Sequence, residues 1–235
     1  MIRALLISNS GRPFLQEYLP EIADFLGPVR RLGYITAARL GDAESRYAAA
    51  ADALRGIGVV AEHFQADAAL PARIEAAEAV FVGGGNTYAL LQRLRECGAL
   101  VALNARVRRG MPYIGTSAGS NIAGFNILCT NDWNVVGATR FDAMGLVPWT
   151  LNPHYLETDP AMAPGSETRD DRIREYHAVN ANPVLGVEES TAIRIEQGSA
   201  KVVGRGRAKL FRRGQPPHWL AAGESLPLDL RAAAE

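Results

Sequence analysis

Cysteine and lysine are scarce in this sequence, and neither sign of charge is in excess. Its 235 residues include two cysteines, Cys97 and Cys129, and 25 basic side chains are balanced by 25 acidic ones. The two cysteines form no CxxC pair, which argues against a disulfide framework or a redox motif and fits a reducing compartment. The balanced charge argues against a nucleic-acid-binding protein, because such proteins usually carry a basic excess or stripe.

Long apolar runs are lacking as well. Residues 1–7 are apolar but too few to cross a membrane, and a polar stretch follows, so they predict a first strand rather than a leader or an anchor. We therefore expect no membrane contact and a cytoplasmic location. Apolar residues still make up 48% of the chain, which allows a large core. The length suits one domain over residues 1–235, with a frayed tail after about residue 221.

Strand-like and helix-like patterns alternate through the first half of the chain. Candidate strands cover residues 2–7, 31–36, 59–64, 79–82 and 111–115, and the helical patterns between them include residues 39–55 and 87–103. This alternation predicts an α/β fold with a doubly wound, mostly parallel sheet. Ligands of such sheets bind beyond the carboxyl ends of the strands.

The second half is less regular. Residues 155–171 contain few apolar side chains and predict a long functional loop. A helical pattern begins near its end and covers residues 169–179. Short strands are predicted at residues 184–187, 191–196, 200–203 and 208–212, with Gln197-Gly198 as a hairpin turn.

The segment Gly115-Thr116-Ser117-Ala118-Gly119 is a GxSxG motif between a predicted strand and a predicted helix. A serine on such a tight turn has strained dihedral angles and an exposed hydroxyl, and the flanking glycines avoid clashes. The N–H of Ala118 would point to the place where an oxyanion forms. The motif therefore predicts a serine nucleophile, although a glycine-rich turn without chemistry has the same pattern.

A second glycine-rich turn follows the predicted strand 79–82. Gly83, Gly84 and Gly85 precede a helix start, and glycines there allow close approach to the backbone. Neither nucleotide-binding pattern fits, because Tyr88 occupies the third glycine position of GxGxxG and no GK[ST] follows. We expect the N–H of Gly85 to be a second oxyanion donor, with a tight turn capped by Thr87 as the alternative.

A serine nucleophile needs a base, and the chain has four histidines. His63 ends a predicted strand, His177 lies in a predicted helix and His218 lies near the carboxyl terminus. His154 lies where an apolar stretch meets the long polar loop, which favours it as the general base. His154 and Glu157 form an HxxE pattern, but no cluster of further metal ligands accompanies it.

The base needs an acid that orients it. Glu188 and Glu189, which follow an apolar strand, are candidates for this acid, although solvated loop carboxylates are equally expected there. Asp132 is a rival candidate. In α/β-hydrolases the acid precedes the histidine, whereas the set preferred here runs Ser117, His154, Glu189. That order argues against an esterase of that fold. It matches class I glutamine amidotransferase-like folds, which are three-layer, flavodoxin-like sandwiches.

Together these segments resemble peptidase E, the α-aspartyl dipeptidase family of serine peptidases, to which cyanophycinase is related. The resemblance covers most of the chain. It rests on Leu6-Ile7-Ser8-Asn9-Ser10, Val82-Gly83-Gly84-Gly85-Asn86-Thr87, Tyr113-Ile114-Gly115-Thr116-Ser117-Ala118-Gly119, Thr130-Asn131-Asp132, Phe141-Asp142-Ala143, Leu151-Asn152-Pro153-His154, Glu167-Thr168-Arg169 and Gly186-Val187-Glu188-Glu189.

The resemblance implies hydrolysis of dipeptides with an N-terminal aspartate, without metal or cofactor. It implies that Ser117 is the nucleophile, His154 the base and Glu189 the acid. Gly85 and Ala118 are the implied oxyanion donors. The sequence leaves open whether the protein forms a homodimer.

The resemblance also implies substrate-binding residues. Arg169 would recognise the aspartate side chain, since a guanidinium binds a carboxylate through two parallel hydrogen bonds. The alternative is the start of an exposed charged helix, because charged residues 170–172 adjoin it. Asn86, Thr87 and Asp132 are further candidates, with Asp132 facing the substrate amino group or holding the structure together.

Two positions depart from the dipeptidase pattern. Thr116 stands where tryptophan is frequent, and Ser120 stands where a small apolar residue is common. Both changes leave the chemistry intact but leave the residue preference open. A cyanophycinase-like peptidase with a wider cleft is therefore an alternative, and so is a non-catalytic binding protein of this fold, although the complete set of three residues argues against the latter.

Overall fold

A computed structural model describes residues 1–157, 163, 165–226 and 228. The first part of the chain forms β1 (Ala4–Ile7), α1 (Leu19–Leu26), β2 (Arg31–Ile35), α2 (Ala43–Arg55), β3 (Val60–Phe64), α3 (Leu70–Ala76), β4 (Val80–Val82), α4 (Thr87–Glu96), α5 (Ala99–Arg108), β5 (Tyr113–Thr116) and α6 (Ala118–Asn121). The second part forms β6 (Thr150–Pro153), α7 (Arg169–Val179), β7 (Val184–Val187), β8 (Thr191–Glu196), β9 (Ser199–Gly204), β10 (Ala208–Phe211), β11 (His218–Leu220) and β12 (Ser225–Leu226).

The larger sheet has the strand order β12-β9-β8-β1-β5-β4-β2-β3. Strands β3, β2, β4, β5 and β1 are parallel, and β8, β9 and β12 extend the sheet antiparallel beside β1. Side chains alternate between its faces: Leu5 packs in one core with Phe25 and Leu54, and Leu6 packs in the other with Leu90. Helices thus cover both faces, which confirms the predicted α/β sandwich.

A second sheet, of order β11-β10-β7-β6, was not predicted as a separate layer. Its strands β6 and β7 are parallel, and β10 and β11 continue antiparallel. Strand β6 has the sequence TLNP, which is only four residues long, ends in proline and is buried at every position, so periodicity does not reveal it. This strand ends directly before His154 and therefore positions the predicted base.

Several predicted boundaries differ from the structure. The helical pattern over residues 87–103 is two helices, because Gly98 between them has the left-handed φ of 74° and interrupts the first. The tail was predicted to fray from about residue 221, but β12 pairs with β9. Residues 227 and 229–235 of that tail, and 158–162 and 164 of the predicted long loop, lie outside the described residues.

Both cysteines carry free thiols. Within the part of the chain that the structure describes, none of the helices has the length and apolar content needed to cross a membrane.

Candidate active site

Ser117 lies on the turn between β5 and α6, at the carboxyl end of the parallel sheet. Its φ of 52° and ψ of −109° are unusual for a residue other than glycine. Its backbone N–H donates to the carbonyl of Ile7 at 3.0 Å, which fixes the turn to β1. The strained geometry is that expected of a serine whose hydroxyl is raised from a sheet edge.

The last glycine of the motif is required by packing. A Cβ atom at Gly119 would lie 2.1 Å from the carbonyl oxygen of Val82 in the neighbouring strand. We expect Gly119→Ala to lower the free energy of unfolding by about 3 kcal/mol, because backbone must move to admit the methyl group. Urea denaturation measures this. Gly41→Ala is the control, because nothing lies within 4 Å of its added Cβ, and equal losses in both variants would contradict the packing argument.

His154 follows β6, and its backbone is held by a serine that sequence reasoning did not select. The backbone N–H of His154 donates to Ser8 Oγ at 2.8 Å, and Ser8 Oγ donates to the carbonyl of Val187 at 2.8 Å. His154 has a φ of 55°, so this support stabilises an unfavourable backbone conformation. The sequence signals for Ser8 were its place directly after the first strand, at the carboxyl edge, and its inclusion in the segment Leu6-Ile7-Ser8-Asn9-Ser10.

Ser117, His154 and Glu189 form a continuous chain of hydrogen bonds. His154 Nε2 lies 2.9 Å from Ser117 Oγ, and His154 Nδ1 lies 2.8 Å from Glu189 Oε1. The side chains of His154 and Glu189 are 42% and 62% exposed, so substrate and water can reach them. This arrangement places a base on the hydroxyl and a carboxylate on the far side of the base.

The two rival acids are engaged elsewhere. Glu188 forms an ion pair with Arg207 at 3.1 Å. Asp132 Oδ2 accepts a hydrogen bond from the backbone N–H of Thr87 at 2.7 Å. Of the three carboxylates that the sequence left open, Glu189 is therefore the one that the structure places against His154.

The glycine turn after β4 faces the same serine. Gly83 and Asn86 donate their N–H groups to the carbonyls of Ile35 and Ala38, whereas those of Gly84 and Gly85 bind no described residue. Gly85 has a φ of 150°, and a Cβ there would lie 2.4 Å from the carbonyl oxygen of Ala38. The turn thus requires glycine and leaves amides beside Ser117.

Ala118 is the first residue of α6, where helix geometry leaves an N–H without an intrahelical partner. Its N–H makes no hydrogen bond to any described residue. Both predicted oxyanion donors therefore have N–H groups that are not used by the fold.

A cavity of about 550 Å³ contains this site. Ser117, His154, Glu189, Gly84 and Gly85 line it. Three arginines also contribute to its lining: Arg12, Arg39 and Arg46. Sequence reasoning missed these arginines, because none of them belongs to a motif and they follow no pattern.

Asn86, Thr87 and Asp132 were predicted to bind substrate, but the structure places them outside the lining of this cavity. The Asn86 side chain caps α4 by accepting the N–H of Ala89. Thr87 is fully buried, and its hydroxyl accepts from Asn121 and Thr130. Asp132 accepts the Thr87 N–H. These side chains form hydrogen bonds with the first N–H groups of α4 and with one another, which explains their clustering without a ligand.

Arg169 is the first residue of α7 and lines a neighbouring cavity of about 490 Å³. Asn131 and Asn152 line that cavity too, and Asn131 donates to the carbonyl of Pro153 at 2.9 Å. The described lining does not include Ser117, His154 or Glu189. The structure therefore puts Arg169 beside the strand that carries His154 rather than in the cavity of Ser117.

A buried lysine links the segment that follows His154 to the start of α7. Lys209 is 5% exposed and forms ion pairs with Asp170 at 2.8 Å and Glu157 at 2.5 Å. Burial alone would lower the pKa of Lys209, but these carboxylates raise it above its ordinary value, so the side chain stays charged. Glu157, the acidic residue of the HxxE pattern, is thus paired with Lys209.

Tyr155 completes that connection. It follows His154 in the chain, and its hydroxyl donates to Asp170, the residue after Arg169. The network therefore fixes the start of α7 relative to the segment that carries His154.

The remaining histidines have other partners. His63 Nε2 lies 2.8 Å from the hydroxyl of Thr36, and His177 Nε2 lies 3.1 Å from the carbonyl of Asn182. His218 lies in β11, in the second sheet. Among the described residues, no group of three or more His, Cys, Asp or Glu side chains is arranged to hold a metal ion.

Comparison with known proteins shows the class to which this fold and site belong. The model of peptidase family S51 matches residues 4–203. The chain is 40% identical to "Peptidase E" of Streptomyces coelicolor over 97% of its own length and 95% of that protein. It is 36% identical to the "Probable alpha-aspartyl dipeptidase" of Drosophila melanogaster, over 81% and 82% of the two chains.

Solved structures have the same fold. A putative peptidase E from Listeria monocytogenes matches with a TM-score of 0.70 and 24% identity, over 88% of this chain and 100% of that one. A peptidase from an acI-B1 actinobacterium matches with a TM-score of 0.74 and 16% identity, over 97% of each chain. The chain is a hydrolase of peptide bonds, and it belongs to peptidase family S51. The family and the enzyme class predicted from the motifs are thus confirmed.

Proposed function

We propose that this chain is a serine dipeptidase that hydrolyses Asp-Xaa dipeptides through Ser117, His154 and Glu189. The observation that carries the proposal is the position of His154, which is hydrogen bonded to Ser117 Oγ through Nε2 and to Glu189 through Nδ1. A binding protein of the same fold has no need for a base that bridges a strained serine and a carboxylate.

The reaction follows from these positions. His154 Nε2 takes the proton of Ser117 Oγ as that oxygen attacks the carbonyl carbon of the aspartyl residue. The N–H groups of Gly85 and Ala118 stabilise the oxyanion, and protonated His154 then donates its proton to the leaving amine. Glu189 stabilises the charged imidazole and holds its orientation. Water, activated by His154, releases aspartate and restores the hydroxyl of Ser117.

Two observations support an aspartyl substrate. One relative of this chain bears the name "Probable alpha-aspartyl dipeptidase". Arg169 begins α7, and the network of Lys209, Asp170 and Tyr155 fixes that helix beside the His154 segment. A guanidinium there can bind the aspartate carboxylate through two parallel charge-assisted hydrogen bonds, which a neutral side chain does not accept in the same way.

A substrate panel tests this specificity. Wild type is expected to hydrolyse Asp-Leu at least about 100-fold more efficiently, by kcat/KM, than Asn-Leu, Glu-Leu or Leu-Leu. Arg169→Met is expected to remove most of that preference. Arg174→Met is the matched control, since Arg174 lies on the same helix but pairs with Asp171 at the surface. Equal rates on aspartyl and leucyl substrates would contradict the specificity.

The other features predicted from sequence are part of this proposal. They are one domain over residues 1–235, a cytoplasmic location, and a homodimer as the assembly to be tested.

A further inference from the structure

The cavity that contains Ser117 has a cationic wall. Arg12, Arg39 and Arg46 contribute to its lining. Among the described residues that line it, Glu189 is the one carboxylate, and it is hydrogen bonded to His154. Positive charge at this wall therefore exceeds negative charge, which favours an anionic group of a bound substrate.

Arg39 and Arg46 differ in how far their guanidinium groups are already engaged by other side chains. Arg39 donates two hydrogen bonds to Asp42, at 2.7 Å each, and is thereby largely neutralised. Arg46 lies on α2 with its guanidinium carbon 5.1 Å from the centre of the Phe14 ring, and its nearest atom is 4.0 Å from Asp42. Arg46 is 34% exposed. It is therefore oriented by the fold but has its hydrogen-bonding capacity largely unused by Asp42.

An Asp-Xaa dipeptide has two carboxylates, one on each side of the bond that is cleaved. The aspartate side chain belongs to the acyl part, and the C-terminal carboxylate belongs to the leaving amino acid. Arg169 lines the neighbouring cavity, whereas Arg46 lines the cavity of Ser117. Two separate cationic positions thus correspond to the two carboxylates.

We propose that Arg46, assisted by Arg12, binds the C-terminal carboxylate of the dipeptide. This inference rests on the proposed function and adds to it a physical reason for cleaving dipeptides rather than longer chains. A longer peptide has a neutral amide at that position, which leaves the guanidinium of Arg46 without its anionic partner. The same contact places the scissile bond relative to Ser117.

The test compares three substrates that differ beyond the scissile bond. Asp-Leu carries the carboxylate, Asp-Leu-amide replaces it with a neutral group of the same shape, and the p-nitroanilide of aspartate lacks the second residue. Wild type is expected to prefer the acid over the amide by about 10- to 100-fold in kcat/KM, the range for a hydrogen-bonded charge. R46Q is expected to lower this acid-to-amide ratio about 10-fold. R55Q, on the exposed end of the same helix, is expected to keep the wild-type ratio.

Two results would overturn the proposal: equal efficiency of wild type on acid and amide, or a fall in R46Q that is the same on all three substrates. The second result would assign Arg46 to the aspartate side chain or to the architecture of the cavity. The anilide separates this proposal from the proposed function. If wild type cleaves the anilide but does not distinguish acid from amide, only the carboxylate site fails; if it cleaves no aspartyl substrate, the function fails as well.

Discussion

Replacement of Ser117 by alanine is expected to lower kcat on Asp-Leu by about 10⁴- to 10⁶-fold. The hydroxyl lies 2.9 Å from His154 Nε2, which would take its proton. Without it no acyl-enzyme forms, and the residual rate comes from bound water near the unused amides of Gly85 and Ala118. Steady-state kinetics on the purified variant measure the loss.

Two controls separate a loss of catalysis from a loss of folding and from a general effect of replacing serine. Ser117→Ala is expected to unfold at the same urea concentration as wild type within error, because its side chain makes no structural hydrogen bond apart from that to His154. Ser199→Ala, at an exposed position of β9, is expected to retain full activity. Undiminished turnover by the Ser117→Ala protein would show that another group is the nucleophile.

The second large effect is expected at Glu189. Glu189→Gln keeps the shape of the side chain but removes the negative charge beside His154 Nδ1. It therefore disfavours the charged imidazole and permits the wrong tautomer. Loss of a buried triad carboxylate costs about 10⁴-fold in kcat. Since Glu189 is 62% exposed and water shields the charge, we expect a smaller loss, of about 100- to 1,000-fold.

The adjacent residue provides the control. Glu188→Gln removes the same charge one position earlier, where the carboxylate pairs with Arg207 and does not contact His154. We expect kcat within a few-fold of wild type. Equal losses in both variants, or a larger loss in Glu188→Gln, would contradict the assignment of Glu189 as the acid.

The parallel sheet could be predicted because its signals are local. Strands β1, β2, β4 and β5 are largely apolar, and β3 has Glu62 and His63 among apolar residues. Helical patterns separate these strands, and each pattern is contained within a few residues. The second sheet could not be predicted in this way. Strand β6 is specified by pairing with β7, so that Thr150 lies beside Val184, and its four residues are too few for a periodic pattern to be recognised. The break at Gly98 was missed because the apolar spacing continues across it.

In the site, motif and position were sufficient to propose Ser117 and His154, whereas the acid was left open among three carboxylates, of which Glu189 is the one that lies against His154. Polar residues close to a motif were less informative. Thr87 lies beside the glycine turn in sequence, yet it is buried in hydrogen bonds that hold α4 and α6 together. Arg46 and Lys209 were missed because they contact residues distant in sequence, which are Phe14 for Arg46, and Asp170 and Glu157 for Lys209.

In the proposed reaction, Ser117 attacks the carbonyl carbon of the aspartyl residue. Covalent labelling with an aspartyl phosphonate diester tests it most directly, because a serine nucleophile displaces one ester group and forms a stable bond to phosphorus. We expect peptide mass spectrometry to place a single adduct on Ser117, in parallel with loss of activity and with protection by Asp-Leu. An adduct on a different residue, or an unlabelled protein that still hydrolyses Asp-Leu, would contradict the account.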